Sequence, residues 1–312
     1  MIAGADVFLE GFRPGVIDRL GFGFERVKEL APNIIYVSIS GYGQTGPKSK
    51  KPAMDPVLQA YTGFMTANAD PTGKPMRTQP IIVDMSTALY AHQAVAAALY
   101  ANRDEPGPRF LDISLMAAAA NLQAVRFAST VQEGKEPPPG STPGGVYACK
   151  DGHIQLIVLK EKDWFTFCDA LGLDDFKAEE RYRDNRERAA DIERINGRIA
   201  PIFASKRAEE WGEIFTALGL MNQPILDYIE FSKEEQARAT GLVTEAPQPG
   251  YPSPPTILNV PGAPPLVPGA PTSIAPTIGQ DTKSVLAEAG YSETEIEALL
   301  TGGAASESAG DD

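Results

Sequence analysis

The chain has 312 residues, 43% of them hydrophobic, and a formal net charge of −13, enough for one large or two modest domains with a full core. The acidic balance argues against nucleic acid and anionic membrane surfaces as partners, and no apolar run is long enough to span a bilayer. Two cysteines and two histidines are too few for a Cys/His zinc site and give little support to a Ser-His-Asp or Cys-His hydrolase, so any chemistry is expected from carboxylates.

Residues Met1 to Glu10 contain acid early and no basic n-region, so they do not read as a signal peptide and the expected location is the cytoplasm. Ala5 to Leu9 (ADVFL) reads as a short buried strand, followed by the turn EGFRPG and the short helix GVIDRLG. Phe24 to Leu30 is an amphipathic helix stopped by Pro32, and Ile34 to Ile39 is a second buried strand. Strand, helix and strand in succession predict a parallel α/β unit.

Gly41-Tyr42-Gly43-Gln44-Thr45-Gly46 matches the dinucleotide pattern GxGxxG. That fingerprint requires a helix to open at the glycines, whereas here Pro47 and the run Lys48 to Pro52 prolong a loop, so a nicotinamide site is rejected. Met54 to Met65 is expected as a helix with Asp55-Pro56 in its first turn, and a loop through Asp70-Pro71 follows.

Ile81, Ile82 and Val83 lead into Asp84, and an Ala-rich run follows as far as Pro106-Gly107-Pro108. Asp84 therefore stands where a helix begins. Its ordinary role there is to accept from the unpaired N–H groups of the first turn. The same placement would also hold a carboxylate ionised and rigid, as a carboxylate nucleophile requires. The strand Arg109 to Ile113 and a second Ala-rich helix to about Thr130 come next.

The run from Pro137 to Gly145 marks a boundary, either a plain linker or a substrate loop. Beyond it, Val146 to Cys149 and His153 to Leu159 flank Lys150-Asp151-Gly152 as a hairpin. Helical segments through 164–171, 185–204 and 208–218 complete a small, acidic α+β domain. Residues 247–276 hold eleven of the 27 prolines, the mark of an extended segment. Final short helices at 282–289 and 294–300 precede a tail expected to be disordered. Residues 1–80 carry nine Lys/Arg against seven Asp/Glu, a balance of +2, leaving −15 on the rest. An anionic ligand would thus be met by the first quarter of the chain.

Taken in order, ADVFLEGFRPGVIDRLGFG, YVSISGYGQTGP, MDPVLQAYTG, the Asp84 segment, GPRFLDISLM, YACKDGHIQL and IGQDTKSVLAEAGY resemble the family III CoA-transferases, also called the CaiB/BaiF family. The resemblance implies an α/β fold with an open Rossmann-like large domain and an inserted smaller α+β domain. The parts are then a large domain at 1–143, a small domain at 144–240, a return segment with C-terminal helices of the large domain at 241–301, and a tail at 302–312. It further implies an interlocked homodimer and an acyl-CoA:carboxylate CoA-transferase, with acyl-CoA and a carboxylic acid acceptor as substrates. No prosthetic group and no metal are expected.

In this family the nucleophile is an aspartate at the position of Asp84, which forms a mixed anhydride and then an aspartyl-CoA thioester. The resemblance carries CoA contacts onto Gly11, Phe12, Arg13, Arg19, Pro52, Ala53, Met54 and Asp55, with Arg13 and Arg19 meeting the CoA phosphates. The family usually has Asn at the place of Gly11. It also implies a mobile glycine-rich loop around Gly140 to Gly145. Racemases of the family place a histidine just before the acid that is Asp55 here; Met54 stands there instead and disfavours that branch. Family members begin with several tens of residues ahead of the point where this sequence starts, so it is expected to be either a fragment or mis-started sequence or a natural short form. The alternative reading is therefore a CoA-binding or structural homologue without full catalysis, its sheet missing strands and exposing an edge.

Overall fold

In the first part of the chain, three strands form a wholly parallel sheet. They are β1 (Val7–Glu10), β2 (Ile35–Ser40) and β3 (Arg109–Ser114), in the order β1-β2-β3, with Val7 opposite Ile35 and Ile35 opposite Arg109. In this computed structural model, which describes residues 1–70, 72–136 and 140–307, the chain divides into two compact units, Met1–Pro137 and Pro138–Asp312. The division falls inside the Pro/Gly run expected as a boundary; Pro137 to Pro139 of that run, Pro71 of the earlier loop and residues 308–312 of the tail lie outside the described residues.

In the first unit, α1 (Val16–Arg19) and α2 (Phe24–Leu30) connect β1 to β2. The return from β2 to β3 carries α3 (Asp55–Tyr61), α4 (Phe64–Ala67) and the long α5 (Ile82–Ala101). The single helix expected from Met54 to Met65 is broken at Gly63, which has φ +82°, a conformation that ends a helical turn without steric cost only in glycine. After β3, α6 (Leu115–Leu122) and α7 (Ala124–Glu133) replace the one expected Ala-rich helix. β2 is the central strand, and Ile35, Tyr36, Val37 and Ser38 are all buried, as a strand covered on both faces requires. The parallel sheet with crossover helices is the expected α/β arrangement.

The second unit has the predicted hairpin, β4 (Gly144–Ala148) paired antiparallel with β5 (His153–Ile157). Its helices are α8 (Glu161–Leu171), α9 (Asp174–Ala178), α10 (Asn185–Ala190), α11 (Ile192–Phe203) and α12 (Ala208–Ala217). A third strand, β6 (Met221–Pro224), joins β5; its sequence MNQP has no apolar alternation to betray it. Trp164, Phe167, Phe203, Trp211 and Phe215 form the centre of this unit's core, with Trp211 and Phe215 stacked at 5.3 Å. The later segments are α13 (Tyr228–Phe231), α14 (Glu235–Ala239), the antiparallel pair β7 (Val243–Glu245) and β8 (Thr256–Leu258), and α15 (Thr282–Glu288) and α16 (Glu293–Thr301).

In the segment Gly140 to Gly145, expected as a mobile loop, Gly144 and Gly145 belong to β4, Thr142 is buried, and the buried Arg188 donates to the Thr142 carbonyl. Arg188 also donates to the carbonyls of Tyr182 and Arg183. Of the tail expected to be disordered from residue 302, the described part reaches Glu307, whose carboxylate meets Lys283 at 2.8 Å.

Candidate active site

The chain enters α5 where the C-terminal ends of the parallel strands lie, because it leaves β2 at Ser40 and returns to β3 only after α5 has run its length. Open parallel sheets offer ligands a crevice at this edge. Asp84 is the third residue of α5 and is exposed. The residue before the helix is Ile81, which has no side-chain cap to give.

The cap comes from another helix. Asp55, at the start of α3 and only 3% exposed, accepts from the amide of Val83 at 2.7 Å and from that of Asp84 at 3.2 Å, both through Oδ2. Gln59, one turn further along α3, donates to Asp55 Oδ1 at 2.6 Å and accepts from the Thr78 amide at 3.0 Å. Asp84 therefore does not cap its own helix as the sequence suggested. Nor does its setting favour the anion: partial withdrawal from water, and secondarily the Asp55 carboxylate, push its proton affinity up. The positive end of α5 is taken up by Asp55.

The expected CoA-binding residues lie on two loops that the structure joins. Gly11, Phe12 and Arg13 follow β1 and are exposed, as is Arg19 at the end of α1. The Phe12 amide donates to Glu10 Oε2 at 2.8 Å. Ser38 Oγ hydrogen-bonds the other oxygen of that buried carboxylate, and Gln44 Nε2 donates to Ser38 Oγ at 2.8 Å. Thus the loop with the GxGxxG pattern is built into the site edge. Its Gln44 amide also donates to Asp112 Oδ2 at 3.0 Å, and a Cβ on Gly41 would overlap the methyl of Ala53.

Ala53 packs beside Tyr42, Leu58, Val83 and Ala119, and Met54 and Pro52 are exposed next to it. A continuous set of contacts therefore runs from Phe12 through Glu10, Ser38, Gln44 and the Gly41–Ala53 approach to Asp55 and Asp84. Glu10, Ser38, Gln44 and Gln59 were not singled out in the sequence; their alignment arises only when β1, β2 and α3 come together. Arg13 and Arg19 make no ion pair among the described residues, and Arg19 donates only to the Gly15 carbonyl at 2.9 Å.

Other nucleophiles are poorly placed. Burial pushes the Cys168 thiol up to about 12 and raises that of Cys149, which keeps both protonated at neutral pH. Both histidines are exposed. Among the described residues no group of three or more His, Cys, Asp or Glu is arranged to hold a metal, and no helix is long and apolar enough to cross a membrane.

The sequence model of CoA-transferase family III matches residues 1–282. An acyl-CoA transferase of Fusarium pseudograminearum is 32% identical over 254 residues, which cover 79% of this chain and 56% of that protein. A human succinyl-CoA:glutarate CoA-transferase is 29% identical over 315 residues, covering 97% of this chain and 70% of the relative. The crystal structure of a CaiB/BaiF family protein from Brucella suis shares the fold with a TM-score of 0.77 at 22% identity, over 92% of this chain and 76% of that one. The chain thus spans little more than half the length of the Fusarium relative.

Proposed function

This chain belongs to CoA-transferase family III, and on that premise we propose that it moves coenzyme A from an acyl-CoA donor to a free carboxylic acid through covalent intermediates on Asp84. The observation that carries the proposal is the state of that side chain. It is exposed at the first turn of α5, accepts no hydrogen bond among the described residues, and has its own amide fixed by Asp55.

In the proposed sequence an Asp84 carboxylate oxygen attacks the thioester carbonyl carbon. The C–S bond breaks, CoA leaves as thiolate, and Asp84 holds the acyl group as a mixed anhydride. The thiolate then attacks the Asp84 carbonyl, expelling the donor acid as carboxylate and leaving an aspartyl-CoA thioester. The acceptor carboxylate repeats these steps in reverse, so that charge and atoms balance at each stage. Splitting one acyl exchange into several smaller barriers is what covalent catalysis contributes.

CoA is assigned to Gly11, Phe12, Arg13, Arg19, Pro52, Ala53 and Met54, with the two arginines at its phosphates. Asp55, carried over with them, has its carboxylate oxygens taken by Val83, Asp84 and Gln59. An interlocked homodimer, the assignment of 241–301 to the large domain and a cytoplasmic location complete the proposal. The glutarate-using relative makes a dicarboxylate the first acceptor to try.

Incubation with succinyl-CoA and hydroxylamine, followed by peptide mass spectrometry, should mark Asp84 as the hydroxamate. Asp84→Ala should abolish both the mark and transfer to glutarate. A mark on another residue would remove Asp84 from the mechanism.

A further inference from the structure

A helix start ordinarily takes its cap from the residue just before it. In α5 that residue is Ile81, and the carboxylate on the first-turn amides arrives from α3, 28 and 29 residues earlier in the chain. The separation has a chemical consequence. An aspartate that capped its own helix would commit its lone pairs to backbone N–H groups, and hydrogen bonds to the anion make it a weaker nucleophile. Here one carboxylate serves the helix and another remains unbonded.

We propose that Asp55 is a positioning residue for the reaction: from α3 it grips the amides of Val83 and Asp84, fixing the nucleophile's backbone while leaving its carboxylate free, with a second negative charge behind it. The inference rests on the assignment of Asp84 as nucleophile. Like charge behind Asp84 disfavours its anion, and acylation, which makes Asp84 neutral, removes that repulsion. The arrangement therefore favours formation of the covalent intermediate over the resting carboxylate. Gln59, which is fully buried, holds Asp55 on one side and the Thr78 amide on the other, so the same brace fixes the segment leading into α5.

The surroundings bring few competing charges. α6 carries no titratable side chain, and α3 carries only Asp55 and Tyr61. On the strands beneath α5, Tyr36 donates to the Phe22 carbonyl, Arg109 to Asn102 and Asp112 accepts from Gln44. α5 itself contributes Tyr90, His92 and Tyr100, all beyond its first turn. Neither Asp55 nor Asp84 has an ion-pair partner among the described residues. Partial withdrawal from water raises the proton affinity of Asp84 most, and among the described residues the Asp55 carboxylate is the charged group that adds to it.

NMR titration of the aspartate side-chain carboxyl carbons in the full chain reads this directly, with Asp84 assigned by the loss of its signal in Asp84→Asn. Asp84 should titrate above the ordinary aspartate range in the unmodified protein and move down in Asp55→Asn, with Asp55→Glu returning it part of the way. The rate of hydroxylamine trapping at saturating succinyl-CoA should fall about tenfold or more in Asp55→Asn, while the half-saturating concentration changes by less than about threefold. An Asp84 that titrates at or below the ordinary range would overturn the proposal, and that measurement needs no variant at position 55 to fold. An Asp84 titration unmoved by Asp55→Asn, or a loss confined to the half-saturating concentration, would also overturn it. Trapping on a residue other than Asp84 defeats the nucleophile assignment whatever the titration shows. Trapping on Asp84 with an unmoved titration defeats only the role of Asp55.

Discussion

At Asp84 two influences oppose each other: the amide end of α5 favours an anion, but Asp55 occupies those amides, and the partial loss of water, with the Asp55 charge added to it, holds the Asp84 proton more tightly. A carboxyl whose folded-state pKa lies above its unfolded value stabilises the fold fully below the unfolded value. That contribution is lost as pH rises through the folded value. Ionised Asp84 is therefore a cost at neutral pH. Asp84→Asn should leave the protein as stable as before or more stable at pH 7, by less than about 1 kcal/mol given solvent screening at an exposed side chain. The gain should vanish as pH falls through the range in which Asp84 protonates. Urea unfolding at pH 7 and at the acid end of the stable range reads both parts, and a clear loss at pH 7 would show Asp84 to be a structural cap. The sequence pointed to Asp84 because an apolar run and a helical run meet there. It gave no sign of the Asp55 grip, since a side chain that reaches across 29 residues leaves no local pattern.

The Gly41-to-Pro47 loop shows how much an element owes to contacts outside itself. Its pattern imitates a phosphate-binding turn, and the absence of a following helix was enough to reject that reading. The reason for its glycines is visible only in three dimensions: Gly41 lies against Ala53, and Gly43 takes φ +89° beside the Asp112 carboxylate. Gly41→Ala should push the Ala53–Asp55 segment away from the loop and cost about 1–3 kcal/mol, as overpacking does. CoA affinity measured by calorimetry should weaken along with the urea midpoint; unchanged binding would separate this loop from the CoA site. Most elements could be read from periodicity, α2 to the residue. One miss has no local cause: the Ala-rich run after Ser114 gives no reason to break at Gln123, whose side chain donates to the carbonyls of Ala119 and Thr62. The bond to Thr62 is a tertiary contact at the break, where helix propensity alone is uniformly favourable.

Across the whole molecule, charge is divided as the sequence indicated, and the structure adds how the cations are used. In the second unit Lys177, Arg181, Arg183, Arg194, Arg207, Arg238 and Lys283 all meet carboxylates. Arg13, Arg19, Lys48, Lys50 and Lys51 of the first unit make no such pair among the described residues, and Lys48 lies instead over the Tyr61 ring at 4.6 Å. Cations without carboxylate partners in a protein of net charge −13 are worth little to the fold, since even paired surface charges contribute about 0–1 kcal/mol. They do give a polyanion such as CoA a local region of attraction on a surface that otherwise repels it. CoA affinity should therefore fall as salt is raised, because attraction between exposed charges is screened over about 10 Å at 0.1 M. Arg13→Ala and Arg19→Ala should each flatten that salt dependence while leaving the urea midpoint nearly unchanged. Equal weakening at every salt concentration would mean that the arginines act by packing, and no weakening would place the phosphates elsewhere on the unit, with the three lysines of the 48–51 loop the next cations to test.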